Sequence, residues 1–291
     1  MKKLAVLLLA AGIAAGLLGC SKSSPTTTTV TVAQSGWVAA NVYLSRYSGS
    51  NLRFDEYVDI YSDPLADPAL CSAQMKFGST SFGLRQATGW GYGYGYPISF
   101  YDTLPCPYPV ASCSVLVTTN VGSSRAGVSF PGSYQLTAPW PRGDTLPWGA
   151  LSVAWTQAQY ASWYQVVVYY SAYDTNYIGS GDTMLFLTGT SATFPQAFFQ
   201  KYPNTRYISG DAEVYAYGGP MPVPGAAGNM AGDFNGFFFS GFSDSLSSSY
   251  FYMGTPGPIV GAQAPSHRIS QEKRREAILK AFGAPMKSEE K

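Results

Sequence analysis

Two segments in the second half of the chain most constrain its fold. Residues 151–155 and 163–170 are short runs of apolar and aromatic side chains, rich in Val, Tyr and Trp, and a short polar connection separates them. β-Branched and aromatic residues favour strands, and runs of this length are typical of strands rather than helices. The two segments therefore predict neighbouring β-strands in an all-β fold.

Similar patterns recur along the rest of the chain. In residues 37–46 small and aliphatic side chains occupy every second position, which predicts a strand with one face on a core. The 22 Tyr, 16 Phe and six Trp, together with abundant Gly, are a β composition. Further strands are predicted at residues 56–61, 74–84, 98–101, 114–119, 126–130, 184–188, 192–195, 207–217 and 236–242, with a turn region at 139–147.

Trp155 and Tyr164 carry a resemblance to fibronectin type III and related immunoglobulin-like domains. In that family a Trp near the end of the second strand packs against a Tyr that opens the third, and these two residues stand at a similar separation. The resemblance implies a contact between the two rings, a β-sandwich, and a corner tyrosine at Tyr207 or Tyr215. A sandwich fold does not by itself identify a function.

The first nineteen residues have the parts of a secretory signal peptide. Lys2 and Lys3 form a basic start, residues 4–18 are an uninterrupted apolar and small-residue stretch, and Gly19 is a small residue at the exit. Crossing a bilayer takes about 20 apolar residues. Because this stretch is shorter and rich in Gly and Ala, we expect it to be cleaved.

The four residues that end at Cys20, Leu-Leu-Gly-Cys, resemble the lipobox of bacterial lipoproteins. The resemblance implies that the Cys20 sulfur carries lipid such as palmitate and that Cys20 becomes the mature N-terminus, which makes the lipid a membrane anchor. In that family an Asp after the cysteine favours retention in the inner membrane. Ser21 stands there instead, so we expect a location in the cell envelope, at the outer membrane.

These observations predict an all-β chain with two antiparallel β-sandwich domains of immunoglobulin or fibronectin type III type and a short C-terminal helix. The expected parts are a lipoprotein signal peptide at 1–19, a lipidated Cys with a flexible Ser/Thr-rich tether at 20–35, an N-terminal β-domain at 36–134, a fibronectin type III-like sandwich at 135–258, and a charged tail with the short helix at 259–291.

The tail helix is predicted at residues 271–282. Ser270 is its expected N-cap, Gly283 its C′ residue and Pro285 its stop. Because the apolar face is small, we expect a solvated helix; the alternative is a helix that docks onto a partner or the membrane surface.

Charge excludes one class of partner. Residues 20–265 contain nine basic and thirteen acidic side chains. Nucleic-acid binders carry basic stripes along their surface. A sparsely charged and mildly acidic body is therefore not expected to bind nucleic acid.

Three cysteines remain for the body if Cys20 carries lipid, and an odd number cannot all pair within one chain. Cys106 and Cys113 are close enough in sequence to close a small loop in an oxidising compartment, and a pairing of Cys71 with either of them is the alternative. The only histidine, His267, lies in the tail. We therefore expect no metal site.

The sequence carries no recognised catalytic set, so we expect neither an enzyme nor a cofactor. A Ser-His-Asp site is not expected with a single tail histidine. Glycosidase chemistry takes two carboxylates, and the candidate pairs are Asp211 with Glu213 and Asp174 with Asp182. Alternation places Asp211 and Glu213 on the same face of one strand, which we expect to be solvated surface.

Residues 89–96 alternate Gly with aromatic side chains. As an extended segment they place Trp90, Tyr92, Tyr94 and Tyr96, here called the aromatic strip, on one side. Exposed aromatic patches often mark interaction sites, so these rings are candidate contacts for a sugar or a protein. The alternative, which we favour, is that they cover the sheet of their own domain.

The leading hypothesis is a non-catalytic, lipid-anchored cell-envelope protein that acts as a surface binding or structural spacer module. Its expected partners are the membrane, through the lipid on Cys20, and an envelope protein or polysaccharide. The alternative is a carbohydrate-binding lipoprotein that uses the aromatic strip, and an enzyme of another type comes third.

Overall fold

The computed structural model describes residues 36–46, 52–62, 68–86, 98–105, 112–120, 122–139, 144–223, 228–243, 245–254 and 269–282. Strands predominate in these ranges: β1 (Gly36–Arg46), β2 (Leu52–Ser62), β3 (Ser72–Phe77), β4 (Thr80–Gly83), β5 (Arg85–Gln86), β6 (Ile98–Pro105), β7 (Ser112–Thr119), β8 (Gly122–Ser129), β9 (Leu136–Ala138), β10 (Asp144–Leu146), β11 (Leu151–Trp155), β12 (Trp163–Tyr173), β13 (Tyr177–Leu187), β14 (Ser191–Phe194), β15 (Tyr207–Gly218), β16 (Ala231–Gly232), β17 (Asn235–Ser243) and β18 (Ser248–Gly254). The helices are α1 (Gln196–Phe199), α2 (Gln271–Ala281) and 3-10 turns at Pro68–Leu70 and Ser245–Ser247.

Hydrogen bonding arranges these strands in three sheets. The large sheet has the order β10-β18-β15-β17-β1-β2-β6-β5, with β12 also on β15 and β13 on β12. The small sheets are β14-β11-β9 and β16-β8-β7-β3-β4. Pairing is antiparallel except between β1 and β17 and between β10 and β18. The prediction of an all-β fold of antiparallel sheets with a short C-terminal helix is confirmed.

The main apolar core lies between the large sheet and the two small ones, as in a β-sandwich. In each sheet, the side chains at every second strand position point into this core. The large sheet supplies Val38, Ile60, Val166, Val214 and Phe242, the five-stranded sheet Met75, Val115 and Val128, and the three-stranded sheet Leu151, Val153 and Trp155.

The central strands of the large sheet are buried on both faces. Every residue of β12 and β15 is buried. In β1, Asn41 and Tyr43 are as buried as the inward-facing valines. The expectation that residues 37–46 have only one covered face is therefore wrong, because a second apolar cluster that includes Ile278 and Phe282 from the tail packs on the opposite side.

One predicted strand is a hairpin. Residues 74–84 were expected to be continuous, but β3 and β4 pair with each other across a turn at Gly78 and Ser79. Gly78 has a φ of +56°, a left-handed conformation that glycine adopts without steric cost. The apolar alternation continues through the turn, so it did not reveal the reversal.

Five strands of the described ranges were not predicted: β5, β9, β10, β16 and β18. Phe251 and Met253 alternate with more exposed residues in β18, which pairs with β15 and β10. The predicted turn region at residues 139–147 contains β10. A strand of three residues is too short to show the alternation of buried and exposed side chains from which strands are predicted. It is recognised only by its hydrogen bonds to the neighbouring strand.

Strands from both sides of residue 135 share sheets. β1 pairs along its length with β17, and β16 pairs with β8 of the five-stranded sheet. By backbone contacts Gln34–Lys291 is one unit, and Met1–Ala33 lies outside the described residues. The division into domains at 36–134 and 135–258 stays a prediction.

The ring contact implied by the fibronectin type III resemblance is present. The Trp155 and Tyr164 rings meet edge to face, with centroids 5.2 Å apart. The corner assignment of Tyr215 is wrong, because its hydroxyl donates to the Glu213 carboxylate instead of to the backbone. Tyr207 stacks on Tyr252, with ring centroids 5.7 Å apart.

Buried tyrosines predict that the fold is lost in alkali. Burial raises the pKa of Tyr217 well above its usual value, and it raises the pKa values of Tyr170 and Tyr207 to about 12. Above about pH 10 the unfolded chain loses tyrosine protons that the folded chain keeps, so stability falls as pH rises. We expect urea midpoints to decrease between about pH 10 and 12, with a shallower decrease for Tyr217→Phe. A midpoint that stays constant across this window would contradict the prediction.

Candidate functional site

Asp211 and Glu213 lie on the same face of β15, as alternation predicts, but they are not solvated. Their side chains are only 3% and 7% exposed. The predicted surface position is wrong because helix α2 covers this face of the large sheet. Burying a carboxylate costs free energy unless it is paired and hydrogen-bonded, so the neighbours of these two groups decide their role.

A buried charged cluster supplies those neighbours; it consists of Tyr169, Asp211, Glu213, Tyr215 and Arg274. The Tyr169 hydroxyl donates to Asp211 Oδ2 at 2.9 Å and lies 3.4 Å from Glu213 Oε1. Arg274 forms an ion pair with Glu213, with 3.6 Å between Nη1 and Oε2, and its guanidinium lies 3.8 Å from the centre of the Tyr215 ring. The guanidinium and the phenols therefore compensate the buried carboxylates.

Helix α2 delivers Arg274 to this cluster. Ser270 is the N-cap, as predicted, and its hydroxyl accepts a hydrogen bond from the Lys273 amide at 3.1 Å. Phe282 stacks on Phe237 with ring centroids 3.7 Å apart, and Ile278 is 1% exposed. The expected solvated helix is wrong: the tail packs on its own sheet, because a few large apolar residues and one arginine match that face.

The cavity that the described residues leave beside the cluster is small. A cavity of about 20 Å³ lies at its edge, between Tyr43, Tyr217 and Arg274. That volume holds about one water molecule. Glu213 fastens the helix to the sheet through Arg274, and Asp211 accepts a hydrogen bond from Tyr169 on the neighbouring strand.

The two carboxylates of the second candidate pair, Asp174 and Asp182, each have a separate structural partner. The Asp174 carboxylate accepts the Asn176 and Thr175 amides in the turn after β12, and these bonds, led by that of Asn176, lower its pKa. Asp182 lies on β13 and forms an exposed ion pair with Lys273 at 3.5 Å.

An open groove of about 560 Å³ lies on the outer face of the five-stranded sheet. Its size falls in the range typical of ligand sites. The outward members of the alternating strands supply its floor, with short side chains and two cations. The lining residues are Gln74, Lys76, Ser81, Ser114, Val115, Leu116, Arg125, Ala126, Gly127, Asn229 and Ala231.

Strand register fixes the spacing of the groove residues. Lys76 lies opposite Ser114, which lies opposite Gly127, and in the adjacent row Leu116 lies opposite Arg125. Lys76 and Arg125 are thus separated by two strand spacings across the sheet and by two residues along the strand direction. These spacings place their Cα atoms about 12 Å apart.

Glycine and asparagine shape the groove. A Cβ at Gly127 would make only ordinary contacts, the nearest at 3.7 Å from the Cys113 carbonyl oxygen, so the backbone does not require glycine there. Its absent side chain leaves the floor open. Asn229 forms a wall: its side-chain amide donates to the Phe238 carbonyl at 2.9 Å and its side-chain oxygen accepts the Phe238 amide at 2.7 Å.

The predicted site residues are only partly within the structure. Cys20, Cys106, Trp90, Tyr92, Tyr94 and Tyr96 lie outside the described residues. Cys113 is buried on β7 and Cys71 packs against the main core. The pairing of Cys106 with Cys113, lipid on Cys20 and the role of the aromatic strip therefore stay predictions.

Sequence reasoning missed both the charged cluster and the groove. Lys76 and Arg125 are visible as charges in alternating strands, but their proximity comes from the pairing of β3 and β8 with β7. Arg274 and Glu213 are 61 positions apart. One sequence signal of its burial is that Arg274 stands four positions before Ile278, on the same face of the predicted helix.

Two further observations concern the ranges that the structure describes. No three or more His, Cys, Asp or Glu side chains in them converge as metal ligands. None of their helices has the length and apolar character needed to cross a bilayer.

No protein-family model matches the chain, and no curated protein matches it. Among solved structures, a tandem pair of immunoglobulin domains from titin aligns with 73% of this chain and 95% of that chain, with 9% identity and a TM-score of 0.19. The fold assignment therefore rests on the strand pairings and cores described above.

The buried ion pair predicts a large loss of stability on truncation. Arg274→Ala removes the guanidinium that compensates Glu213, and we expect the free energy of unfolding to fall by about 3–5 kcal/mol. Urea denaturation followed by Trp fluorescence measures this change. Lys280→Ala, at an exposed position on the same helix, is the control and should change stability by about 0.5 kcal/mol or less. Equal effects of the two substitutions would show that the cluster does not hold the helix.

Proposed function

We propose that this protein is a non-catalytic, lipid-anchored binding module of the cell envelope. The open groove on the five-stranded sheet is the observation that carries this proposal. It presents cations, hydroxyls and amides on the outer face of a sheet, and its volume lies in the range of ligand sites.

The anchor part of the proposal rests on the sequence that ends at Cys20. Lipid on that cysteine attaches the protein to a membrane, and Ser21 favours the outer membrane. The residues between Cys20 and β1 then act as a tether that allows the domain to reach components of the envelope.

The non-catalytic part is supported by the roles of the acidic side chains. Asp211 and Glu213 are held by a phenol and a guanidinium under α2. Asp174 accepts backbone amides in a turn. Each of these groups contributes to the fold, and none of them lines the groove.

The alternative function is carbohydrate binding through the aromatic strip. It rests on the alternation of Gly with Trp and Tyr at residues 89–96, because exposed aromatic rings can pack on the faces of sugars. The experiment below separates the strip from the groove.

Membrane attachment is tested by Cys20→Ala. We expect this variant to lose the membrane association of the wild-type protein, because the lipid has no other attachment site in the proposed anchor. The measurement is fractionation of cells followed by immunoblotting of membrane and soluble fractions. Retention of the variant in membranes after a high-salt wash would overturn the anchor.

Binding in the groove is tested without knowledge of the ligand. A photo-reactive amino acid at Leu116, which is 41% exposed in the groove, should give cross-linked adducts in intact cells. Leu185 on β13 is 39% exposed and is the matched control position. Equal adduct formation at the two positions, or none at Leu116, would count against a binding role for the groove.

A further inference from the structure

We propose that the groove binds an acidic glycan, a polysaccharide whose sugars carry carboxylates. This inference rests on the proposed function and specifies its ligand. Three features of the groove carry it: its charge, the spacing of its cations, and the chemistry of its floor.

The groove is a basic site in a sparsely charged chain. Lys76 and Arg125 are both exposed and both line it, whereas none of its lining residues is acidic. Neither cation forms an ion pair with a described residue. Residues 20–265 have thirteen acidic groups against nine basic ones, and two of those nine lie together in the groove, so the groove is a local positive site that attracts anions.

The spacing of the cations matches a chain with repeated charges. Side chains stand roughly perpendicular to a sheet, so the ammonium of Lys76 and the guanidinium of Arg125 rise from positions about 12 Å apart. Upright side chains at this separation present two positive charges along the groove instead of one. An extended polymer with anionic groups at intervals engages both.

The floor between the cations suits sugar rings. Leu116 offers an exposed apolar patch for the C–H face of a ring, and Gly127 leaves space beside it. Gln74, Ser81 and Ser114 supply hydrogen-bond donors and acceptors for hydroxyl groups. A groove that is open at the surface admits a chain that continues beyond both ends.

The experiment is affinity electrophoresis of the detergent-solubilised full-length protein. The probes are polygalacturonate, the same polymer after reduction of its carboxyl groups, and polyglutamate as an anion without sugar. The test variants are Lys76→Gln with Arg125→Gln, which removes both charges, and Gly127→Phe, which fills the floor. The matched controls are Lys201→Gln with Arg206→Gln, at exposed positions outside the groove, and Gly189→Phe, where a Cβ meets only Leu187 at 4.0 Å.

We expect polygalacturonate to retard the wild-type protein and the controls. The double charge variant should bind it roughly tenfold more weakly, and Gly127→Phe should abolish the retardation. The reduced polymer should retard the wild-type protein less, and added salt should weaken the interaction. Thermal unfolding of every variant verifies that a loss of binding is not a loss of fold.

Several outcomes would overturn the inference. Equal retardation by polyglutamate means that charge alone is recognised. Retention of binding in both groove variants, with loss in Trp90→Ala and Tyr94→Ala, assigns the glycan to the aromatic strip. Absence of retardation by any probe overturns the ligand class, whereas adducts at Leu116 in cells would still support a binding groove.

Discussion

The large sheet depends on cover for both of its faces. Its central strands β12 and β15 are buried at every residue, so the sheet needs a partner on each side. One side packs on the two smaller sheets, as in a sandwich. The other side is closed by helix α2 and the apolar cluster around Ile278 and Phe282. The C-terminal segment is therefore part of the core.

This cover explains where the charges lie. A helix that closes an aromatic sheet face also buries whatever polar groups that face carries, here Asp211 and Glu213 on β15. Arg274 and the phenols of Tyr169 and Tyr215 compensate them. Such an arrangement adds less net stability than apolar packing does, but its loss is costly because the carboxylates stay buried.

The proposed binding surface lies on a sheet that needs cover on only one face. The five-stranded sheet buries one face and exposes the other, so its outward side chains are not needed for the core. Lys76, Leu116 and Arg125 are exposed on that face, and a polar ligand reaches them without any rearrangement of the fold. The doubly covered sheet thus contributes the core, whereas the half-exposed sheet carries the proposed binding surface.

The sequence by itself determined the strand content, most strand positions and the Ser270 N-cap, because these depend on local alternation and short spacings. The Trp155–Tyr164 contact was implied by the resemblance of these two residues to the fibronectin type III pattern. Only the tertiary structure decided that Glu213 is buried, that α2 packs on the sheet, and that Lys76 and Arg125 share a groove. Alternation specifies which residues share a face of a strand. It does not specify what covers that face or which strands are neighbours, because those depend on pairings between residues far apart in the chain.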